Sequence, residues 1–253
     1  MYSKFVTTSN VERFHAAYRE SEERGASEAC WTLVVGDAGH GKTRTAQQWA
    51  FEHDAAIVRI PASATPHWVI SELVQELGGV PSRSVEACSK TASKLLQRAP
   101  RPIVLDEIEN AIRGGIGCLE VIRDLSDLLE VPVVITGREW VAGRLQEQRQ
   151  IWSRISGIAD YRPLTLADMK LLREQLVECE TDPALDAILL ERTGGYIREA
   201  LNALSRVAEI GKMSRSIVGP DDVRGVRLVR EHVRNMPPPR AKKGRKQANG
   251  GGE

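Results

Sequence analysis

Short apolar runs separated by longer stretches of mixed polarity shape the first two thirds of the chain. Leu33-Val34-Val35, Ala55 to Ile60, Ile103-Val104-Leu105 and Val133-Val134-Ile135 have the length and character of buried strands. The stretches between them predict helices. One runs from Lys42 to about His53, and another from Ser84 to Arg98. A third opens on Thr65 as cap with Pro66 as first helical residue and stops at Gly78-Gly79. A fourth, Leu119 to Leu129, has apolar residues at 119, 121, 122, 125, 128 and 129. Ahead of the first strand, Asn10 is the expected N-cap of a helix from Val11 to about Glu23. Gly114, Gly115 and Gly117 make Glu109 to Cys118 read as a flexible loop. Tyr161-Arg162-Pro163-Leu164 is a candidate fifth strand. Strands alternating with helices in this way predict an α/β fold, a parallel sheet flanked by helices.

After Pro163 the pattern changes. Thr165 to Val177, Pro183 to Arg192 and Ile197 to Ile210 read as helices, with Asp168 at capping-box spacing from Thr165. Asp221 to Val233 is a candidate last helix. The expected organisation is an α/β nucleotide-binding domain over residues 1–164 and a small helical lid over 165–236. A basic, Pro- and Gly-rich tail follows over 237–253. That tail cannot bury a core and is expected to be disordered.

Residues 36–43, Gly36-Asp37-Ala38-Gly39-His40-Gly41-Lys42-Thr43, match the phosphate-loop pattern G-x-x-x-x-G-K-[ST], with a strand before and a helix after. The glycines let the backbone curl so that its N–H groups and the helix N-terminus face an anion. In this pattern Lys42 reaches the β- and γ-phosphates of ATP and Thr43 ligates Mg²⁺. A second stretch, Ile103 to Glu107, is a buried strand ending in two carboxylates. Asp106 is expected to hold Mg²⁺ through water, and Glu107 to polarise the attacking water as general base.

Composition narrows the setting. The chain has 253 residues and is 42% hydrophobic, enough for one large domain with a small one beside it. No run reaches 18 apolar residues and the first residues lack a signal-peptide core, so a membrane role is not expected. Cys30, Cys88, Cys118 and Cys179 are scattered, without metal or disulfide spacing, and suit a cytoplasmic protein. Charge is uneven. Arg224 to Lys246 holds nine basic residues against one acidic, while residues 1–223 hold 26 against 32. A basic end on a mildly acidic body suits a polyanion partner.

An α/β NTPase domain followed by a helical lid resembles the AAA+ ATPases. Gly195-Tyr196-Ile197-Arg198 looks like that family's sensor-2 motif, which makes Arg198 a γ-phosphate contact from the lid. Ser153-Arg154-Ile155 lies where the family places an arginine finger that acts on a neighbouring subunit; Arg144, Arg149 and Arg162 compete for that role. The sensor-1 position falls on Thr136 or Arg138. Within AAA+, the body from about residue 3 to 230 is similar to the phage Mu B transposition family. Lys4-Phe5-Val6 with Thr8 and Val11 resembles the segment that opens its ATPase domain, which implicates Phe5 and Val6 in nucleotide binding. The order of the nucleotide motifs, the short strand to Gly137 and Ala167-Asp168 also match. The N-terminal helix-turn-helix domain of longer members has no counterpart before the phosphate loop. The resemblance implies a bacterial or phage ATPase that binds double-stranded DNA with little sequence preference. It implies a homo-oligomeric filament or ring that delivers target DNA to a DDE transposase. Phosphate contacts require basic residues. Candidates are Arg83, Arg113 and Arg138 on loops, Lys94 and its neighbour Lys90 on a helix, and the cluster Lys242, Lys243, Arg245 and Lys246. A helicase loader, an insertion-sequence ATPase or a signalling switch NTPase would share the nucleotide motifs.

Overall fold

The apolar runs assemble into one sheet. A computed structural model describes residues 1–229, apart from residues 3, 114, 215 and 216. In chain order the elements are α1 (Ser9–Glu22), β1 (Trp31–Val35), α2 (Lys42–Glu52), β2 (Ala56–Arg59), α3 (Pro66–Glu76), α4 (Val85–Arg98), β3 (Ile103–Asp106) and α5 (Glu109–Arg113). There follow α6 (Gly117–Leu129), β4 (Val133–Gly137), α7 (Val141–Gln146), α8 (Arg149–Trp152), β5 (Ile155–Asp160), α9 (Leu166–Leu176), α10 (Leu185–Thr193) and α11 (Ile197–Ser214). The five strands pair in the order β2-β3-β4-β1-β5, all parallel.

Helices cover both faces of the sheet, so the central strands are apolar on both sides. The period of two sorts their side chains. Leu33, Val35, Leu105 and Ile135 join Ile70, Leu73, Leu96 and Ile122 in one core. Their neighbours Val34, Val104 and Val134 face the other way, onto Phe14, Tyr18 and Trp49 of α1 and α2. Trp49 packs edge-on to Phe14, with ring centroids 5.9 Å apart. Trp49 is thus core, as its helical position suggests, and Trp68 packs against the larger core. From β1 the chain crosses to β2, steps back through β3 and β4, and reaches β5 on the far side of β1. The crevice of such a sheet opens where that direction reverses, at the C-terminal ends of the strands beside β1.

The structure corrects several expectations. The fifth strand is Ile155–Asp160, not residues 161–164. Its small residues hide it from a hydrophobicity reading, yet they are what lets α1 lie on it. A Cβ added at Gly157 would stand 1.8 Å from the Ala17 carbonyl oxygen. Gly157→Ala should therefore push α1 off the sheet and cost about 2–3 kcal/mol, the range for overpacking. Thermal denaturation should show a fall of roughly 5–10 °C; an unchanged midpoint would contradict the contact. Residues 109–118 are not a loop throughout: α5 forms over Glu109–Arg113, and α6 begins at Gly117 rather than Leu119. Asn10 is not an N-cap. The first helix begins two residues earlier, at Ser9 after Thr8, and the buried Asn10 amide donates to the Arg162 carbonyl while its oxygen accepts from Arg162 N–H. No helix forms over 221–229, and the remainder of that expected element lies outside the described residues, as do the tail and its basic cluster.

The three helices α9, α10 and α11 close a separate core of Met169, Leu172, Leu189, Leu204 and Val207, which Val6 of the N-terminal segment joins. Thr165 caps α9 in the expected capping box with Asp168. The same carboxylate also accepts from the Ser9 N–H at 2.6 Å and the Ser9 hydroxyl at 2.8 Å. Burial alone would raise its pKa, but the bonds from Ser9 and Thr165 outweigh burial and hold it low.

Candidate active site

The loop between β1 and α2 is built tight under the start of α11. Gly39 and Gly41 sit at φ of +90° and +94°, which a side chain adopts only with strain. Space is tight as well: an added Cβ would come within 3.3 Å of Tyr196 Cδ1 at Gly39 and 3.2 Å of Ile197 Cγ2 at Gly41. His40 is buried, stacked on the Tyr196 ring with centroids 5.3 Å apart, and neither ring nitrogen has a partner. Burial lowers its pKa, which favours the neutral ring. Asp37 and Ala38 form the exposed outer turn. From the first residue of α2, Lys42 Nζ donates back to the carbonyls of Gly36 at 2.6 Å and Asp37 at 2.9 Å. Burial lowers the Lys42 pKa, opposed by the carboxylates of Glu109, Asp106 and Asp37. A curled loop, a helix N-terminus and an ammonium held together form a receptor for phosphate.

Opposite the loop, β3 ends in the buried Asp106. The Thr43 hydroxyl donates to both of its oxygens at 3.1 Å, and the Thr136 hydroxyl at the end of β4 donates to Oδ1. Thr136 therefore faces Asp106, whereas Arg138 reaches the cavity rim and pairs with Glu109, Nε to Oε1 at 3.3 Å. Both sensor-1 candidates line the cavity in different roles. Glu107 adopts φ of +61°, a left-handed conformation unusual for a side-chain residue. Its Oε1 lies 2.6 Å from Nη2 of Arg59 at the end of β2. Sequence reasoning misses Glu109, because glycines nearby suggest a loop. The signal lies in the spacing Asp106-Glu107-Ile108-Glu109, two residues beyond the second acid.

These groups line one cavity of about 650 Å³, within the range of small-molecule sites. Phe5 and Val6 close one side, and Leu172, Leu176, Ile197 and Arg198 close the lid side. Arg198 is exposed. Thr43 and Asp106 present oxygen ligands of the kind Mg²⁺ takes beside substrate phosphates. Among the described residues no three His, Cys, Asp or Glu side chains converge to hold a metal by themselves.

Residues 26–145 match the family model of the AAA domain. Cdc6p from Pyrobaculum aerophilum aligns over 88% of this chain and 68% of its own, at 16% identity and a TM-score of 0.62. The Aeropyrum pernix ORC1 protein, solved in complex with DNA, aligns over 88% and 65%, at 22% identity and a TM-score of 0.61. The Thermotoga maritima RuvB Holliday junction branch migration motor aligns over 87% and 68%, at 18% identity and a TM-score of 0.58. The chain thus spans about two thirds of the length of these proteins. No curated protein sequence matches it.

The fold is that of an AAA+ P-loop NTPase. In AAA+ terms the loop, the strand-end acids, Thr136 and Arg198 all meet at one cavity. Arg154 does not. It precedes β5 at the N-terminal ends of the strands, away from the cavity, and its guanidinium donates to both oxygens of Asp127 on α6, at 3.1 and 2.7 Å. Of its competitors, Arg144 pairs with Glu147 and Arg162 with Asp160, while Arg149 stands exposed on α8. The DNA-contact candidates are not gathered. Arg83 precedes α4, Lys94 is on it, Arg113 ends α5, and Arg138 lines the cavity described above. Lys90 is paired with Glu86. Among the described residues no helix is long and apolar enough to cross a membrane.

Proposed function

We propose that this chain is a Mg²⁺-dependent ATPase that assembles on double-stranded DNA. The observation that carries the ATPase reading is the convergence of Lys42, Thr43, Asp106, Thr136 and Glu107 on one cavity. Lys42 and the loop hold the β- and γ-phosphates. Thr43 and Asp106 hold Mg²⁺, with Thr136 fixing the carboxylate from behind. Mg²⁺ offsets charge on the phosphate oxygens when bound. Glu107 orients the attacking water, and Arg198 reads the terminal phosphate from the lid. Phe5 and Val6 wall the cavity on the nucleoside side. Residues 1–164 serve as the nucleotide-binding domain and 165–236 as its lid.

DNA binding is supported by two structural neighbours, one solved in complex with DNA and one a Holliday junction motor. The basic segment from Arg224 to Lys246 supports it too. An assembled form would bring an arginine of one copy to the nucleotide of the next. Exposed Arg149 meets that requirement with less rearrangement than Arg154, which must leave Asp127. The finer reading, filament formation and presentation of target DNA to a DDE transposase, rests on the sequence resemblance alone.

ATP turnover and sedimentation with and without long duplex DNA, at about 50 and 200 mM salt, test the proposal. We expect faster turnover with DNA and ATP-dependent assemblies that dissolve as salt rises, because phosphate contacts release counterions. A discrete species indifferent to DNA would leave the ATPase and remove the DNA.

A further inference from the structure

Three carboxylates crowd the cavity, and two have their partners. Asp106 accepts from Thr43 and Thr136. Glu107 is turned to Arg59. Glu109, the first residue of α5, gives one oxygen to Arg138, while its other oxygen, Oε2, is buried and has no partner. Its side chain is only 12% exposed. A buried acceptor left unbonded is costly, more so when charged, so it calls for a donor. Glu109 lines the same cavity as Lys42, Asp106 and Arg138. That cavity is where the donor has to come from.

Resting on the ATPase reading above, we propose that Glu109 is a positioning residue of the hydrolytic site. Oε1 holds the Arg138 guanidinium at the cavity mouth, and Oε2 accepts a hydrogen bond from a water of the metal–nucleotide complex. Mg²⁺ keeps several of its waters when bound beside phosphates, and those waters are strong donors. Glu109 is also the foremost charge opposing the loss of the Lys42 proton, which places it within electrostatic reach of the phosphate receptor. The three acids thus point to different things. Asp106 would face the metal, Glu107 is turned to Arg59 on the rim, and Glu109 would face the water shell of the bound complex.

The test uses the full chain and the non-hydrolysable analogue AMP-PNP, titrated calorimetrically over a range of Mg²⁺, beside steady-state ATP turnover. For Glu109→Gln we expect analogue binding in EDTA within twofold of wild type. The Mg²⁺ needed for half-maximal enhancement should rise about tenfold and turnover should fall about tenfold, the scale of losses at metal-orienting partners. Arg138→Ala should lower turnover with the Mg²⁺ midpoint held within twofold. The double variant should match Glu109→Gln, because the two residues act as a unit. Should Glu109→Gln fail to fold, Glu109→Asp, which keeps the charge but draws the carboxylate back by one methylene, should raise the Mg²⁺ midpoint in the same direction. A wild-type midpoint in the Glu109 variant would overturn the water contact, and additive losses in the double variant would overturn the coupling. If the wild type itself bound no analogue at any Mg²⁺ concentration, the ATPase reading would fall, and this assignment with it.

Discussion

Lys42→Ala should abolish ATP binding and lower turnover by at least about 100-fold, equivalent to roughly 2.7 kcal/mol of transition-state stabilisation. The ammonium is held inside the phosphate loop by the Gly36 and Asp37 carbonyls, where a phosphate would sit. Alanine removes both the charge and that tie. The fold should survive, since neither bond belongs to the sheet or to a core. Equilibrium binding of a fluorescent ATP analogue, with circular dichroism as control, checks both statements. DNA sedimentation in the presence of ATP should fall with it. Turnover within threefold of wild type would move the phosphate site elsewhere.

Glu107→Gln should leave ATP binding intact and lower turnover by about 10²–10³-fold, the usual scale of a lost general base. The glutamine keeps the size of the side chain and can still meet Arg59, so ATP-dependent assemblies should last longer. The opposite sign is expected of Arg59→Ala. That arginine holds the Glu107 carboxylate at 2.6 Å on the rim. Freed, the carboxylate can reach the attacking water at lower cost, and turnover without DNA should rise severalfold. An exposed pair of this kind contributes little stability, so melting should not move. Single-turnover kinetics on the three proteins separates the cases. A loss of turnover in Arg59→Ala would mean that the pair supports the base instead of withholding it.

Much of this arrangement is legible in the chain. The phosphate loop and the strand-end acids announce themselves because their chemistry demands fixed residue types at fixed spacing. Thr65-Pro66 and the Thr165–Asp168 box are legible for the same reason: a cap is a local contract between residues three apart. What escapes depends on distant partners. The last strand is built from Ser156, Gly157 and Ala159, whose smallness is explained only by α1 lying on them. The start of α1 is held by Asp168, 159 residues away, so reading its own neighbourhood can only nominate Asn10. Glu109 sits beside glycines that argue for a loop, and its importance shows only once Arg138 arrives from β4. Arg138 itself reads either as a DNA contact or as a sensor-1 residue until the sheet order brings β4 against β3.

The Asp168 carboxylate has a mechanical consequence. It terminates the first turn of α1 and the first turn of α9 at once. Val6, just ahead of α1, is packed into the core of the three-helix cap. Hinge motion of the cap must then carry the leading strap of the chain along with it, like two leaves sewn to one spine. Both walls facing the base end of a nucleotide would swing together, while the phosphate loop and strand ends stay anchored in the sheet. Under the proposed ATPase reading, opening for product release would widen the mouth from two sides in a single stroke.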